Sequence, residues 1–127
     1  MSCLGLDIGG ANLKAAHADG WARSAPFPLW RNPPGLTAAL HDLLSGAPVA
    51  DRLAVTMTGE LCDCFASKPE GVRHILGAVG ELAPARDVCV YLVNGKFATV
   101  PEALATPRLA AASNWRALAE FACRYFD

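Results

Sequence analysis

The chain has 127 residues, 53% of them apolar, and 11 Lys and Arg against 12 Asp and Glu leave a formal charge of −1. That length suits a single domain or one lobe of a larger protein. The charge balance excludes a broad electrostatic grip on nucleic acid, and the apolar share excludes a disordered chain. No run approaches the ~18 apolar residues of a membrane-spanning helix, so no membrane partner is expected. Residues 1–10 carry no basic stretch and hold Asp7 inside their apolar run, unlike an export signal. With five cysteines and no such signal, the sequence predicts a cytoplasmic protein with reduced thiols.

Residues 3–8 (Cys-Leu-Gly-Leu-Asp-Ile) read as a short buried strand, and Gly9-Gly10-Ala11-Asn12 as a turn. Leu13 to Ala18 is the returning strand, closed by a second hairpin turn at Asp19-Gly20. Trp21 to Leu29 forms a third strand, and Pro26 and Pro28 confine it to a sheet edge, because proline cannot donate to a ladder. After the Asn32–Gly35 loop, Leu36, Ala39, Leu40, Leu43 and Leu44 recur at helical spacing. Leu53 to Met57 suits a central parallel strand. Ser67 with Glu70 reads as a capping box ahead of a stripe of Val72, Ile75, Leu76, Val79 and Leu82, weakened or ended by Gly77, Gly80 and Pro84.

Val88 to Val93 is the cleanest strand, and Asn94-Gly95 is a strong hairpin signal returning through Lys96 to Val100. A short helical stretch runs from Pro101 to about Ala105. Ser113 is placed to cap a last helix, whose Trp115, Leu118, Ala119, Ala122 and Phe126 make a core stripe or a docking face. The order β-β-β-α-β-α-β, with an extra hairpin strand and a closing helix, predicts an α/β domain built on a mixed sheet.

The chemistry concentrates in Asp7-Ile8-Gly9-Gly10-Ala11-Asn12-Leu13-Lys14. Glycine lets a ligand approach the backbone closely, and successive amides in such a turn form an anion-binding nest. Gly9, Gly10, Ala11, Asn12 and Lys14 are therefore candidate phosphate-binding residues. Asp7 is a candidate Mg²⁺ ligand and catalytic residue, since Mg²⁺ takes one or two carboxylates plus water and phosphate oxygens. The plain alternative is an ordinary β-hairpin. The stretch is neither a dinucleotide fingerprint nor a Walker A loop, because Gly-x-Gly-x-x-Gly and Gly-Lys-Ser/Thr are absent.

This stretch resembles the first phosphate loop of the actin-like ATPase superfamily, which includes sugar and acetate kinases. Residues 54–65 (Ala-Val-Thr-Met-Thr-Gly-Glu-Leu-Cys-Asp-Cys-Phe), 68–72 (Lys-Pro-Glu-Gly-Val) and 112–115 (Ala-Ser-Asn-Trp) narrow the likeness to hydantoinase/oxoprolinase-related proteins. Within these they are most similar to the tetrahydromethanopterin-linked C1-transfer and methanofuran-biosynthesis synthase branch. The resemblance covers the first lobe of that family and implies a ribonuclease-H-like mixed sheet, with residues 1–127 as a single N-terminal actin-like ATPase-type lobe. It implies a transferase handling a phosphorylated or diphosphate small molecule, with Mg²⁺ as cofactor. The family's second lobe, with another Asp-x-Gly loop, has no counterpart in these residues. That implies a fragment, a homodimer or partner chain that completes a cleft-bound site, or a lobe without activity. The alternatives are the lobe of an ATP-dependent sugar-type kinase and a non-catalytic binding or assembly module.

Glu60 and Asp63 follow the Leu53–Met57 run, and ligands of open α/β sheets bind beyond the carboxyl ends of strands. Both are candidate catalytic carboxylates, as a second cation ligand or as the base activating an acceptor. The resemblance makes this the acceptor side, with Lys68 and Asn114 as candidate substrate-binding residues. The plain alternatives are a solvated loop and a helix-start residue. Cys62 and Cys64 lack the second ligand pair that zinc needs. Buried structural thiols are expected throughout, with Cys3, Cys89 and Cys123 in core patterns. His41 and His74 are expected on solvated helix faces.

Overall fold

The computed structural model describes residues 2–82 and 87–126. Six strands form one mixed sheet: β1 (Cys3–Ile8), β2 (Asn12–His17), β3 (Ala22–Pro26), β4 (Arg52–Met57), β5 (Asp87–Tyr91) and β6 (Phe97–Ala98). Their spatial order is β3-β2-β1-β4-β5-β6. The β1-β2, β2-β3 and β5-β6 pairs are antiparallel, whereas β4 runs parallel to β1 and to β5. The helices are α1 (Leu36–Leu43), α2 (Lys68–Leu82), α3 (Val100–Ala105), α4 (Pro107–Ala110) and α5 (Ser113–Cys123), with 3₁₀ turns at Pro33–Gly35 and Gly59–Leu61. The mixed α/β architecture matches the sequence expectation. The third strand is shorter than expected and ends at Pro26, and α4 was not foreseen.

Side chains alternate across a strand, and in β1 the even positions Leu4, Leu6 and Ile8 are buried. With Leu53, Val55 and Met57 of β4 and Leu13 of β2 they form one core with Leu36, Leu40 and Leu43 of α1 and Val72, Ile75, Leu76 and Val79 of α2. Each fully buried leucine contributes about 1.5–3 kcal/mol through burial. Gly71 lets α2 meet the second 3₁₀ turn, since a Cβ there would lie 2.7 Å from the Glu60 Cα. At the start of α2 the Ser67 hydroxyl accepts the Glu70 N–H at 3.3 Å. The Glu70 carboxylate takes the N–H of Ala66, not that of Ser67, so the box is shifted by one residue. Pro84 lies outside the described residues.

The opposite face of the sheet is built differently. Its middle row runs in register from Ala22 through Ala16, Gly5 and Ala54 to Cys89. Ala22, Ala16, Gly5 and Ala54 of this row floor an open groove of about 860 Å³, bordered by Tyr91, Phe97 and residues of α5. Helix α5 is tied beside it by the Tyr91 hydroxyl, which donates to Glu120, and Arg116 of the same helix steadies that carboxylate at 2.6 Å.

Four expectations change here. Ser113 does not cap α5: Ala112 precedes the helix in a left-handed conformation, and the Ser113 hydroxyl instead accepts the Met57 N–H at 3.3 Å. The α5 stripe is not core, since Trp115 is 67% and Leu118 61% exposed. The helix borders the sheet through Ala117, Glu120 and Phe121, and no described element covers its other apolar side. The cysteines are free, with Cys3, Cys64 and Cys123 exposed and Cys62 and Cys89 half-buried, because Cys3 and Cys89 occupy strand positions facing away from the core. His74 is half-buried, with Nε2 2.7 Å from the Pro33 carbonyl, while His41 is exposed.

Candidate functional site

Gly9 and Asn12 close the β1-β2 hairpin, with the Gly9 N–H donating to the Asn12 carbonyl at 3.1 Å. The carbonyls at its tip are engaged: Gly10 accepts the Leu29 N–H at 3.0 Å and Ala11 accepts the Phe27 N–H at 2.9 Å. The amides of Gly10 and Ala11 donate to no protein group among the described residues. The tip thus turns its carbonyls toward the chain that follows β3 and leaves two consecutive N–H groups unpaired. Neither residue has a positive φ. A Cβ at position 10 would lie 2.7 Å from the Cys62 sulfur, so a larger residue there would push the Cys62 side chain aside.

Asp7 lies two residues before Gly9, and its side chain is on the open face, 30% exposed. It stands opposite Lys14 on β2 and Thr56 on β4. Lys14 Nζ is 3.9 Å from Oδ2, and the Thr56 hydroxyl is 3.3 Å from Oδ1. Register alone creates this grouping, since facing residues in neighbouring strands share a side of the sheet. Among the described residues, no group of three or more His, Cys, Asp and Glu forms a metal site. A single, partly exposed carboxylate suits a cation held mainly by water and phosphate oxygens.

Beyond β4 the candidates separate. Glu60 is only 2% exposed; its Oε1 accepts the Ala112 N–H at 2.6 Å, and its Oε2 is buried without a partner. Burial pushes this carboxyl above the ordinary glutamate range, against the lowering influence of the Ala112 bond and of Lys68. Asn114 lies near Thr58, its Nδ2 3.5 Å from the Thr58 hydroxyl, while its Oδ1 is buried and unpartnered. Asp63 and Lys68 are exposed. Asp63 lines a separate hollow of about 450 Å³ with Trp30, Leu61, Cys62 and Cys64. Burial, and then the neighbouring Cys64 and Asp63, push the Cys62 thiol up, away from the thiolate a metal would need.

The structure therefore gathers Asp7 and Lys14 on the open face, and Glu60, Ala112 and Asn114 at the carboxyl end of β4. Asp63 stands apart from Glu60, facing the hollow by the hairpin. Thr56, Thr58 and Trp30 are neighbours that sequence reasoning did not select. Strand register could have found Thr56, and Thr58 follows the same strand. Trp30 carried no signal, because an aromatic after a proline-rich edge reads equally well as core.

The fold and site define a one-sided α/β architecture, with an apolar groove on the uncovered sheet face and, among the described residues, unpaired amides at a hairpin tip. No family model matches the chain. Over 126 residues it is 39% identical to the (4-{4-[2-(gamma-L-glutamylamino)ethyl]phenoxymethyl}furan-2-yl)methanamine synthase of Methanocaldococcus jannaschii. The match takes in 96% of this chain and 37% of the synthase, so the chain spans just over a third of that relative's length. No described helix is long and apolar enough to cross a membrane.

Proposed function

We propose that this chain is the phosphate-handling lobe of a transferase acting on a phosphorylated or diphosphate small molecule, related in chemistry to the methanofuran-biosynthesis synthases. Three antiparallel strands followed by two parallel ones support its reading as a ribonuclease-H-like, actin-like ATPase lobe. The observation that carries the proposal is the pair of unpartnered amides at Gly10 and Ala11, beside Lys14 and Asp7. In this reading Gly9–Asn12 and Lys14 cradle the departing phosphates. Asp7 would hold Mg²⁺, and the ion would when bound supply positive charge to the leaving phosphate. Transfer of this kind depends mainly on positioning and charge neutralisation.

Asp63 serves as the exposed carboxylate on the acceptor side, with Lys68 and Asn114 contributing to substrate binding. Glu60 acts from within, holding the segment that presents Asn114. Turnover belongs to an assembled protein in which a second lobe covers the open sheet face and the bare side of α5. That lobe lies on the same chain, on a partner or on a second copy. The exposure of Trp115 and Leu118 favours such a cover over solvent.

The test is amide NMR of the folded chain with inorganic pyrophosphate, with and without Mg²⁺. Millimolar pyrophosphate shifts the Gly10 and Ala11 resonances, Mg²⁺ strengthens the response, and Asp7→Asn removes the Mg²⁺ effect. Unmoved hairpin amides would overturn the proposal. A response to ATP but not to pyrophosphate would transfer the chain to the kinase class.

A further inference from the structure

Three successive residues at the start of α5 are fastened to the end of β4. Glu60 Oε1 accepts the Ala112 N–H at 2.6 Å, the Ser113 hydroxyl accepts the Met57 N–H at 3.3 Å, and Asn114 Nδ2 donates to the Thr58 hydroxyl at 3.5 Å. The Thr58 backbone is held as well: its N–H donates to the Ile8 carbonyl at 3.0 Å and its carbonyl accepts the Leu61 N–H at 3.1 Å. Residue 58 continues the side of β4 that carries Ala54 and Thr56, so its side chain belongs to the open face with Asp7 and Lys14. A Cβ at Gly9 would lie 3.7 Å from the Thr58 hydroxyl oxygen, so this hydroxyl overlooks bare backbone at the base of the hairpin. Among the described residues it donates to no protein group, whereas the Thr56 hydroxyl turns to Asp7.

We propose that Thr58 is a further anion-binding residue of the hairpin site, and that Asn114 is the positioning residue that orients its hydroxyl. This deepens the proposed function and rests on it. A hydroxyl has one hydrogen to donate and two lone pairs to offer. The Asn114 amide occupies a lone pair of Thr58, which leaves the hydrogen to the ligand. An oxyanion over Gly9 meets that hydrogen in the space a side chain would fill, and Lys14 brings charge from the neighbouring row of the sheet. A bond to an ionised acceptor is among the stronger hydrogen bonds. Thr58 forms it without reordering, because its own backbone and the segment above it are already tied down. Asn114 then serves the ligand through Thr58, and the buried Glu60 serves it by holding residue 112.

The probe is inorganic pyrophosphate with Mg²⁺, titrated against the folded chain and read at the Gly10 and Ala11 amides, while the full amide spectrum reports the fold of each variant. Thr58→Val keeps the shape of the side chain and removes the hydroxyl, and should weaken binding about tenfold. Thr58→Ala makes the same comparison where valine disturbs the fold. Thr58→Ser restores the hydroxyl and should bind within about twofold of the wild type. Asn114→Ala should weaken binding about threefold in the wild type and not at all in the Thr58→Val background. A purely structural part for Asn114 would give equal losses in both backgrounds, which would overturn its positioning role. A wild type whose tip amides ignore pyrophosphate defeats the phosphate site itself. A responsive wild type that Thr58→Val equals, or a Thr58→Ser that binds as weakly as Thr58→Val, overturns the assignment of Thr58 alone.

Discussion

The Glu60 carboxylate accepts the amide hydrogen of Ala112, 52 positions later in the chain, at 2.6 Å. This bond joins the end of β4 to the start of α5 in a place closed to solvent. Burial raises the Glu60 carboxyl above its ordinary value. Between the ordinary and raised values the folded chain holds a proton that the unfolded chain has released. The stability from this group is therefore complete below the ordinary glutamate range and lost as pH rises through the raised value. Glu60→Gln keeps an acceptor for Ala112 and removes the titration. Urea unfolding from about pH 4 to about pH 8 should show the variant gaining on the wild type as pH rises. An unchanged difference across that range would contradict the assignment.

Gly71→Ala should destabilise the chain. Its Cβ would meet the Glu60 Cα at 2.7 Å and the Glu60 carbonyl oxygen at 2.9 Å, so backbone must move. A loss of about 1–3 kcal/mol is expected from overpacking, read as a lower urea midpoint.

Ala112 is the described non-glycine residue with a positive φ, at 54°. Ala112→Gly relieves that conformation, which costs an L-residue about 1–2 kcal/mol. Part of the gain is offset by the greater freedom of glycine in the unfolded chain. The expected result is a net stabilisation of roughly 0.5 kcal/mol, measured by thermal or urea unfolding.

Leu29→Ala removes a fully buried side chain packed against Gly59. Core truncations of this size cost about 2–5 kcal/mol. The hairpin tip should also loosen, seen as faster hydrogen exchange at the Leu29 amide, which is bonded to the Gly10 carbonyl.

The bare side of α5 should make the isolated chain self-associate at high concentration, because Trp115 and Leu118 expose adjacent apolar surface. Trp115→Arg combined with Leu118→Glu should shift sedimentation toward the monomer without lowering the unfolding midpoint. A drop in stability of more than about 1 kcal/mol would instead mark these residues as core.

Much of the sheet was legible in the sequence. The strand at residues 3–8 and the run ending at Met57 were evident because large apolar residues recur at every second position, Leu4, Leu6 and Ile8 in one and Leu53, Val55 and Met57 in the other. The Asn94-Gly95 turn was evident because Gly95 adopts a φ of 81°, which glycine tolerates. The stripes at Leu36–Leu43 and Val72–Leu82 declared their helices by spacing. The site was less legible. Ser113 carries the signature of a cap yet accepts a bond from the end of β4, and Glu60 looks like a solvated loop carboxylate yet is sealed inside.

The sequence by itself determined where strands, turns and helices form, because those choices depend on side-chain alternation, turn chemistry and spacing within a few residues. Tertiary structure alone decided which side of each element is covered. It placed Asp7 against Lys14 and Thr56 through strand register, enclosed Glu60 through a residue more than fifty positions away, and left Trp115 and Trp30 in solvent. Burial and pairing of this kind depend on contacts between distant segments, and a local pattern is the same whether its apolar face meets protein or water.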